Sequence, residues 1–363
     1  MTSWIRNTVS ALMLSAVLPI GLSAASSYTV VDIGALPGGS TSGRRLNEVS
    51  EIVGSSGHTH GSATHAFLWS AREGMRDLGT LNGGDYSDAS AANRHGDIVG
   101  SSNTFTSVRA FIWTRQQGMR DLGVLPGDTS ARAFDINDDS EVVGYSSGTK
   151  GVRAFIWSRT SGMHPLASCA GGIASEAYAI NNKAQVVGMC RTASGPRAVL
   201  WSSNGLVHEL GVLPGDNASH ALRIDDTGEI VGWSRGPSGV HAFLWTSSNG
   251  MRNLGYLGNG NYAEARDVNS STEIVGSSQT SLGGRGFLWT QKNGMQDLNL
   301  LIPSSFGILL SGAVSINEAG QILAIGSPGH DPSNDRLMEM DDEHHAGPFH
   351  VYLLTPTSPA SPK

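Results

Sequence analysis

Two columns of titratable residues stand at fixed distances before a recurring turn asparagine. Five residues before it come Ser42, Asp88, Arg132, Glu176, His220, Glu264 and Gly312. Two residues before it come Arg45, Ala91, Asp135, Ala179, Arg223, Asp267 and Ser315. The flanking positions barely change, so variation here marks either a site or a set of internal ion pairs. Carboxylates and an imidazole, such as Glu176, His220 and Glu264, are the residue types that move protons in general acid–base chemistry. If the strand carrying both columns is the innermost of a ring, Arg45, Asp88, Arg132, Asp135, Glu176, His220, Arg223, Glu264 and Asp267 line a channel mouth. Convergent mixed charge in a concave place is a ligand-binding expectation. The alternative is salt bridging between repeats with no ligand.

A second candidate is an insertion near the C-terminus. The corresponding loop has nine residues in the middle repeats but 24 between Gly326 and His350. It carries His330, Asp331, Asp335, Glu339, Asp341, Asp342, Glu343, His344 and His345, and the first repeat has His58, His60 and His65 in an 11-residue loop. Oxygen ligands suit Ca²⁺ and imidazoles suit Zn²⁺. If first and last repeats are neighbours, His58, His60, His330, Asp331, His344 and His345 could form a composite metal site. The spacing matches no EF-hand or zinc pattern, and a solvated acidic loop is the alternative. No cofactor is required elsewhere. No Gly-x-Ser-x-Gly, His-Glu-x-x-His, P-loop or Rossmann pattern is present.

The elements that must position these residues repeat strictly. Trp69, Trp113, Trp157, Trp201, Trp245 and Trp289 are each 44 residues apart and end the same short strand, as in Ala110-Phe111-Ile112-Trp113. Within one period, turn chemistry separates four strand-like segments. In the second unit these are Ala89 to Asn93, Asp97 to Ser102, Arg109 to Trp113 and Met119 to Gly123. Four antiparallel strands per 40–45 residues is the pattern of a β-propeller blade. The turn that starts the second strand carries Asn47, Asn93, Asn137, Asn181, Asn269 and Asn317, with Asp225 in the remaining copy.

The count of this turn predicts a seven-bladed all-β propeller over residues 26–356, each blade a four-stranded antiparallel sheet. The fourth strand is missing after His350-Val351-Tyr352-Leu353-Leu354. A spare copy stands at the other end, Tyr28-Thr29-Val30-Val31-Asp32-Ile33-Gly34. Pairing these two segments would close the ring and remove its open sheet edges. The Asp of Asp32, Asp77, Asp121 and Asp297 recurs at the fourth strand and reads as a structural strand-end residue.

Composition limits the partners. The chain carries a formal charge of −7 with 15 % charged residues and no basic run, which argues against nucleic acid. No segment after residue 25 is a membrane span, so a protein not embedded in a membrane is expected, and a monomer. Residues 1–25 read as a secretory signal: Arg6, an apolar stretch from Val9 to Leu22, then Ser23 and Ala25 before cleavage. Secretion to the periplasm or the exterior follows. The only cysteines, Cys169 and Cys190, each replace a repeat residue, a leucine and a serine. Two departures within one unit of an exported chain predict a disulfide. Residues 357–363 read as a disordered tail.

His65-Ala66-Phe67, His241-Ala242-Phe243, Gly74-Met75-Arg76-Asp77-Leu78-Gly79 and Asp97-Ile98-Val99-Gly100 recur in linked order. In these motifs the chain resembles the HAF family of probable extracellular bacterial repeats. The resemblance covers nearly all of the mature chain and implies an exported bacterial protein, but no chemistry. A rigid ring with variable positions suits non-catalytic recognition of a glycan or an extracellular protein. The alternatives are an extracellular polysaccharide hydrolase or lyase and a structural surface protein.

Overall fold

The computed structural model describes residues 27–36, 39–57, 63–328 and 350–357. Seven four-stranded antiparallel sheets make a seven-bladed β-propeller. The innermost strands are Thr41–Leu46, Ser87–Ala92, Asp128–Ile136, Ala174–Ile180, Ala218–Ile224, Ala263–Val268 and Ile308–Ile316, in blades 1 to 7. Each contacts the innermost strand of the next blade, and that of blade 7 contacts that of blade 1. Blade 7 is completed by the N-terminal strand Tyr28–Asp32, which pairs antiparallel with His350–Pro356 in the register Val30 to Leu354.

The repeat motifs each perform one packing task. The side chains before and after the turn interleave across blades, so there are seven apolar clusters, one per blade–blade junction. Phe111 and Trp113 of blade 2, for example, pack on Leu68, Leu78 and Leu81 of blade 1. Phe67, Phe111, Phe155, Phe243 and Phe287 are fully buried, each worth roughly 2–3 kcal/mol by area. The glycine of each Val-Gly pair has a different cause. The inner strand bulges opposite it, as between Ala133 and Asp135. A Cβ on Gly144 would lie 2.0 Å from the carbonyl oxygen of Arg132, so no larger residue fits without moving the bulge.

Polar residues bind blade to blade. The amide of Asn47 donates to Asn93 O at 3.1 Å, Asn93 to Asn137 O at 3.1 Å, Asn137 to Asn181 O at 3.3 Å and Asn181 to Asp225 O at 2.9 Å. Asn269 donates to Asn317 O at 3.1 Å and Asn317 to Asn47 O at 3.3 Å, which joins blade 7 to blade 1. A second motif joins a leucine N–H in the crossing from one blade to the next to a serine hydroxyl on the second strand of that next blade: Leu81 to Ser102, Leu125 to Ser146, Leu213 to Ser234 and Leu257 to Ser278. In blade 4 the same two positions hold Cys169 and Cys190, and they form a disulfide. A covalent bond therefore replaces a hydrogen bond at one of the repeated junctions.

Candidate functional site

The strand order gives the channel two distinct ends. The asparagine turns lie at one mouth. The loops between second and third strands, and the crossings from one blade to the next, lie at the other. Along each inner strand the position two before the asparagine sits near the first mouth. The position five before it sits toward the second.

The charges near the asparagine mouth are absorbed by the ring itself. Arg45 of blade 1 pairs with Asp267 of blade 6 at 3.1 Å, and Arg223 of blade 5 reaches the same carboxylate at 4.0 Å. Asp267 also accepts from the Ser315 hydroxyl at 2.7 Å and the Ile316 N–H at 2.9 Å. Asp135 accepts from Ile180 N–H at 3.1 Å, and Arg223 donates to Tyr178 O at 3.0 Å. Burial lowers the pKa of Arg223, and the Arg45 charge adds to this, while Asp135 and Asp267 oppose it. Two arginines and two aspartates thus form a neutral cross-channel network. Beside it lies a cavity of about 140 Å³ lined by Arg45, Asp135 and the turn residues Asn47, Asn93, Asn137, Asn181 and Asp225. Four of the nine residues expected at a ligand mouth are therefore inter-blade ties.

The second mouth is uneven. On one side its charges pair locally. Arg44 holds Asp88 of the next blade at 3.0 Å, and Glu264 accepts from Tyr262 Oη at 2.8 Å and meets Arg266 at 3.5 Å. On the other side, across blades 3 to 5, the wall is aromatic. Tyr145 and Phe134 have ring centroids 5.6 Å apart, Phe134 and Tyr178 5.7 Å, Tyr178 and His220 5.8 Å, and His220 and Trp233 4.2 Å. The His220 ring stacks nearly parallel on both neighbours, with interplanar angles of 17° and 21°. All five side chains are half-buried. Arg132 donates to Ser101 Oγ at 3.3 Å, and Glu176 lies in the same sector, on blade 4.

His220 is electrically unusual. Burial between the rings pushes its pKa down to about 4, and the positive charges of Arg191 and Arg235 push the same way. The imidazole is accordingly neutral near pH 7. It presents a flat polar ring rather than a proton held ready for donation.

Sequence reasoning missed Arg44, Phe134, Tyr145, Tyr178, Trp233, Arg191 and Arg235. Their signal was available. Tyr145 and Trp233 follow the Val-Gly glycine where blades 1, 2 and 6 have Ser55, Ser101 and Ser277, and Trp233 lies outside the 44-residue tryptophan register. The expected metal ligands His58, His60, His330, Asp331, His344 and His345 lie outside the described residues. Among the described residues no group of three His, Cys, Asp or Glu side chains is placed to hold a metal ion, and no helix is long and apolar enough to cross a membrane.

One further arrangement has the order of a serine relay. His241 Nδ1 lies 3.0 Å from Asp216, and its Nε2 lies 3.3 Å from Ser238 Oγ. Blade 3 carries Arg153 paired with Asp128 at 2.8 Å at the equivalent positions. His65 with Asp77 and His350 with Asp32 likewise tie third strands to strand-end carboxylates. His241 is thus one variant of a recurring strap. The fourth-strand aspartates serve the same end, since Asp77 and Asp121 each also accept from the N–H two residues on, at 2.7 Å.

No family model matches the chain, and no curated protein matches it. Solved structures do. A streptogramin B lyase aligns with a TM-score of 0.56 at 11 % identity, over 91 % of this chain and 98 % of that one. An oligogalacturonate lyase in complex with manganese aligns with a TM-score of 0.56 at 10 % identity, over 92 % and 94 %. The β-propeller domain of the Trilobed protease from Pyrococcus furiosus, described as having an open velcro topology, aligns with a TM-score of 0.51 at 7 % identity, over 80 % and 90 %. At such identities the likeness is one of fold, and activity does not transfer with it.

Proposed function

We propose that the protein is an exported, non-catalytic saccharide-binding propeller of the HAF type, with its site on the aromatic wall of blades 3 to 5. The observation that carries this reading is the stacked arc of Tyr178, His220 and Trp233 at one channel mouth. Flat half-buried rings offer large contact area at small entropic cost, and their polar edges offer hydrogen bonds to hydroxyls. A neutral imidazole completes such a surface without adding charge. Export is supported by the N-terminal sequence and by the Cys169–Cys190 disulfide.

An enzymatic reading has less support. The carboxylates Asp88 and Glu264 are engaged by Arg44 and Arg266, and His220 is held far below the pKa of a general base matched to neutral pH. The structural reading is favoured for the asparagine mouth alone, where Arg45, Asp135, Arg223 and Asp267 tie blades together.

The test is a calorimetric titration of residues 26–363 with a panel of neutral and acidic oligosaccharides, each followed for product. Binding without turnover is the expected outcome, weakened at least tenfold by Trp233→Ala. Turnover of any bound saccharide would place the protein among enzymes instead.

A further inference from the structure

The rim above the aromatic wall carries charge that the ring does not use. The second-strand position that follows the Ser/Cys column holds Gly57, Asn103, Ser147, Arg191, Arg235, Gln279 and Ser327. Arginine occurs there only in blades 4 and 5, the two blades that frame the stack of Tyr178, His220 and Trp233. Strand register places Arg191 opposite Ala174 and Arg235 opposite Ala218, two residue pairs further toward the loop end than Glu176–Met189 and His220–Trp233 and so on the same sheet face. Both arginines are exposed. The Arg235 guanidinium lies over the Trp233 ring, 5.4 Å from its centroid.

Neither guanidinium makes an ion pair with an acid among the described residues. Most arginines of the ring do pair, as Arg44, Arg45 and Arg223 do with Asp88 and Asp267; what distinguishes Arg191 and Arg235 is their matched position beside the His220 ring. Both are close enough to the His220 ring to act on it electrostatically. Two guanidinium groups at equivalent positions of neighbouring blades, without an ion pair among the described residues, make a local positive field on a protein of formal charge −7. A guanidinium presents its donors as a planar fork matched to a carboxylate.

From this juxtaposition we infer that the blade 4–5 rim selects carboxylate-bearing saccharides, such as uronic acid chains, over neutral ones. Sugar faces lie on the Tyr178, His220 and Trp233 rings, and the carboxylate of one residue meets Arg191 and Arg235. Arg132 on blade 3 extends the donor surface. The inference rests on the saccharide-binding reading of the aromatic wall and adds to it the ligand class.

The experiment compares wild type with the Arg191→Gln/Arg235→Gln double variant and with Trp233→Ala. The probes are oligogalacturonate, oligoguluronate and their neutral counterparts, oligogalactose and cello-oligosaccharide, at two salt concentrations. Both arginines are exposed, so the double variant is expected to melt with the wild type. The expected result is at least tenfold tighter binding of an acidic probe than of any neutral one, and weakening of that binding by salt. The double variant should lose the preference, and Trp233→Ala should weaken binding of every probe at least tenfold. Neutral and acidic probes bound alike, or an undiminished preference in the double variant, would overturn the ligand class while leaving the aromatic site standing. No binding of any probe, or binding insensitive to Trp233→Ala, would remove the saccharide site and the ligand class together.

Discussion

At the scale of single residues, His220 separates a binding surface from a catalytic one. Its ring is stacked on Trp233 at 4.2 Å and hydrogen-bonds the Tyr178 hydroxyl at 3.4 Å. Burial, then Arg191 and Arg235, bring its pKa to about 4 from an ordinary 6.5. Above pH 6.5 folded and unfolded chains both carry a neutral His220, so this residue gives no slope. Between 6.5 and about 4 the unfolded chain takes up a proton that the folded ring refuses. Stability therefore falls as pH falls across that window, by about 3 kcal/mol from this group. Denaturant melts from pH 7 to pH 4 should show a shallower loss in His220→Gln than in wild type. Superimposable pH profiles would mean that the ring is solvated and protonates normally. The residue's identity and column were legible in the sequence. Its neutrality was not, because that comes from Tyr178 and Trp233 on other strands and from charges that linear spacing does not reveal.

At the scale of the element, the turn that links first and second strands does two jobs. The asparagine Oδ1 accepts from N–H groups two and four residues on, as Asn93 does from His95 and Asp97, and the amide donates to the next blade. Asp225 accepts from Thr227, Gly228 and Glu229 N–H in the same way. It has no amide to donate, so the circle is broken between blades 5 and 6. Burial also raises its pKa, with hydrogen bonds from Thr227, Glu229 and Gly228 opposing. Replacing Asp225 with Asn should supply the missing donor to Asn269 O and remove a buried charge. A gain of about 1 kcal/mol is expected, read as a raised melting temperature. A lowered one would mean that the Thr227 hydroxyl contacts to the carboxylate, at 2.8 Å, matter more than the broken link. The turn was readable from the Asn column. Its role as a clasp between blades was not, since the acceptor sits 44 to 48 residues away in five copies and 270 away in the link from blade 7 to blade 1.

At the scale of the whole molecule, periodicity determined nearly all that was legible. A 44-residue repeat gave the blade, the seven turn copies gave the ring, and the orphan fourth strand gave its closure through Tyr28–Asp32. The charge columns were found for the same reason, but their partners were not. Arg45 and Asp267 stand 222 residues apart in sequence and 3.1 Å apart in space, and only the closed ring brings them together. Pairing ties up the charges of the asparagine mouth, and the half-buried aromatic sector of the opposite mouth carries the proposed function. Its most direct test is the ring-proton NMR spectrum of His220, assigned by loss in His220→Gln, during titration with the acidic oligosaccharides at pH 6. The His220 resonances are expected to start in the neutral position and move with ligand, while those of His65 and His241 stay in place. Bound ligand with an unmoved His220, or a His220 already protonated at that pH, would contradict it.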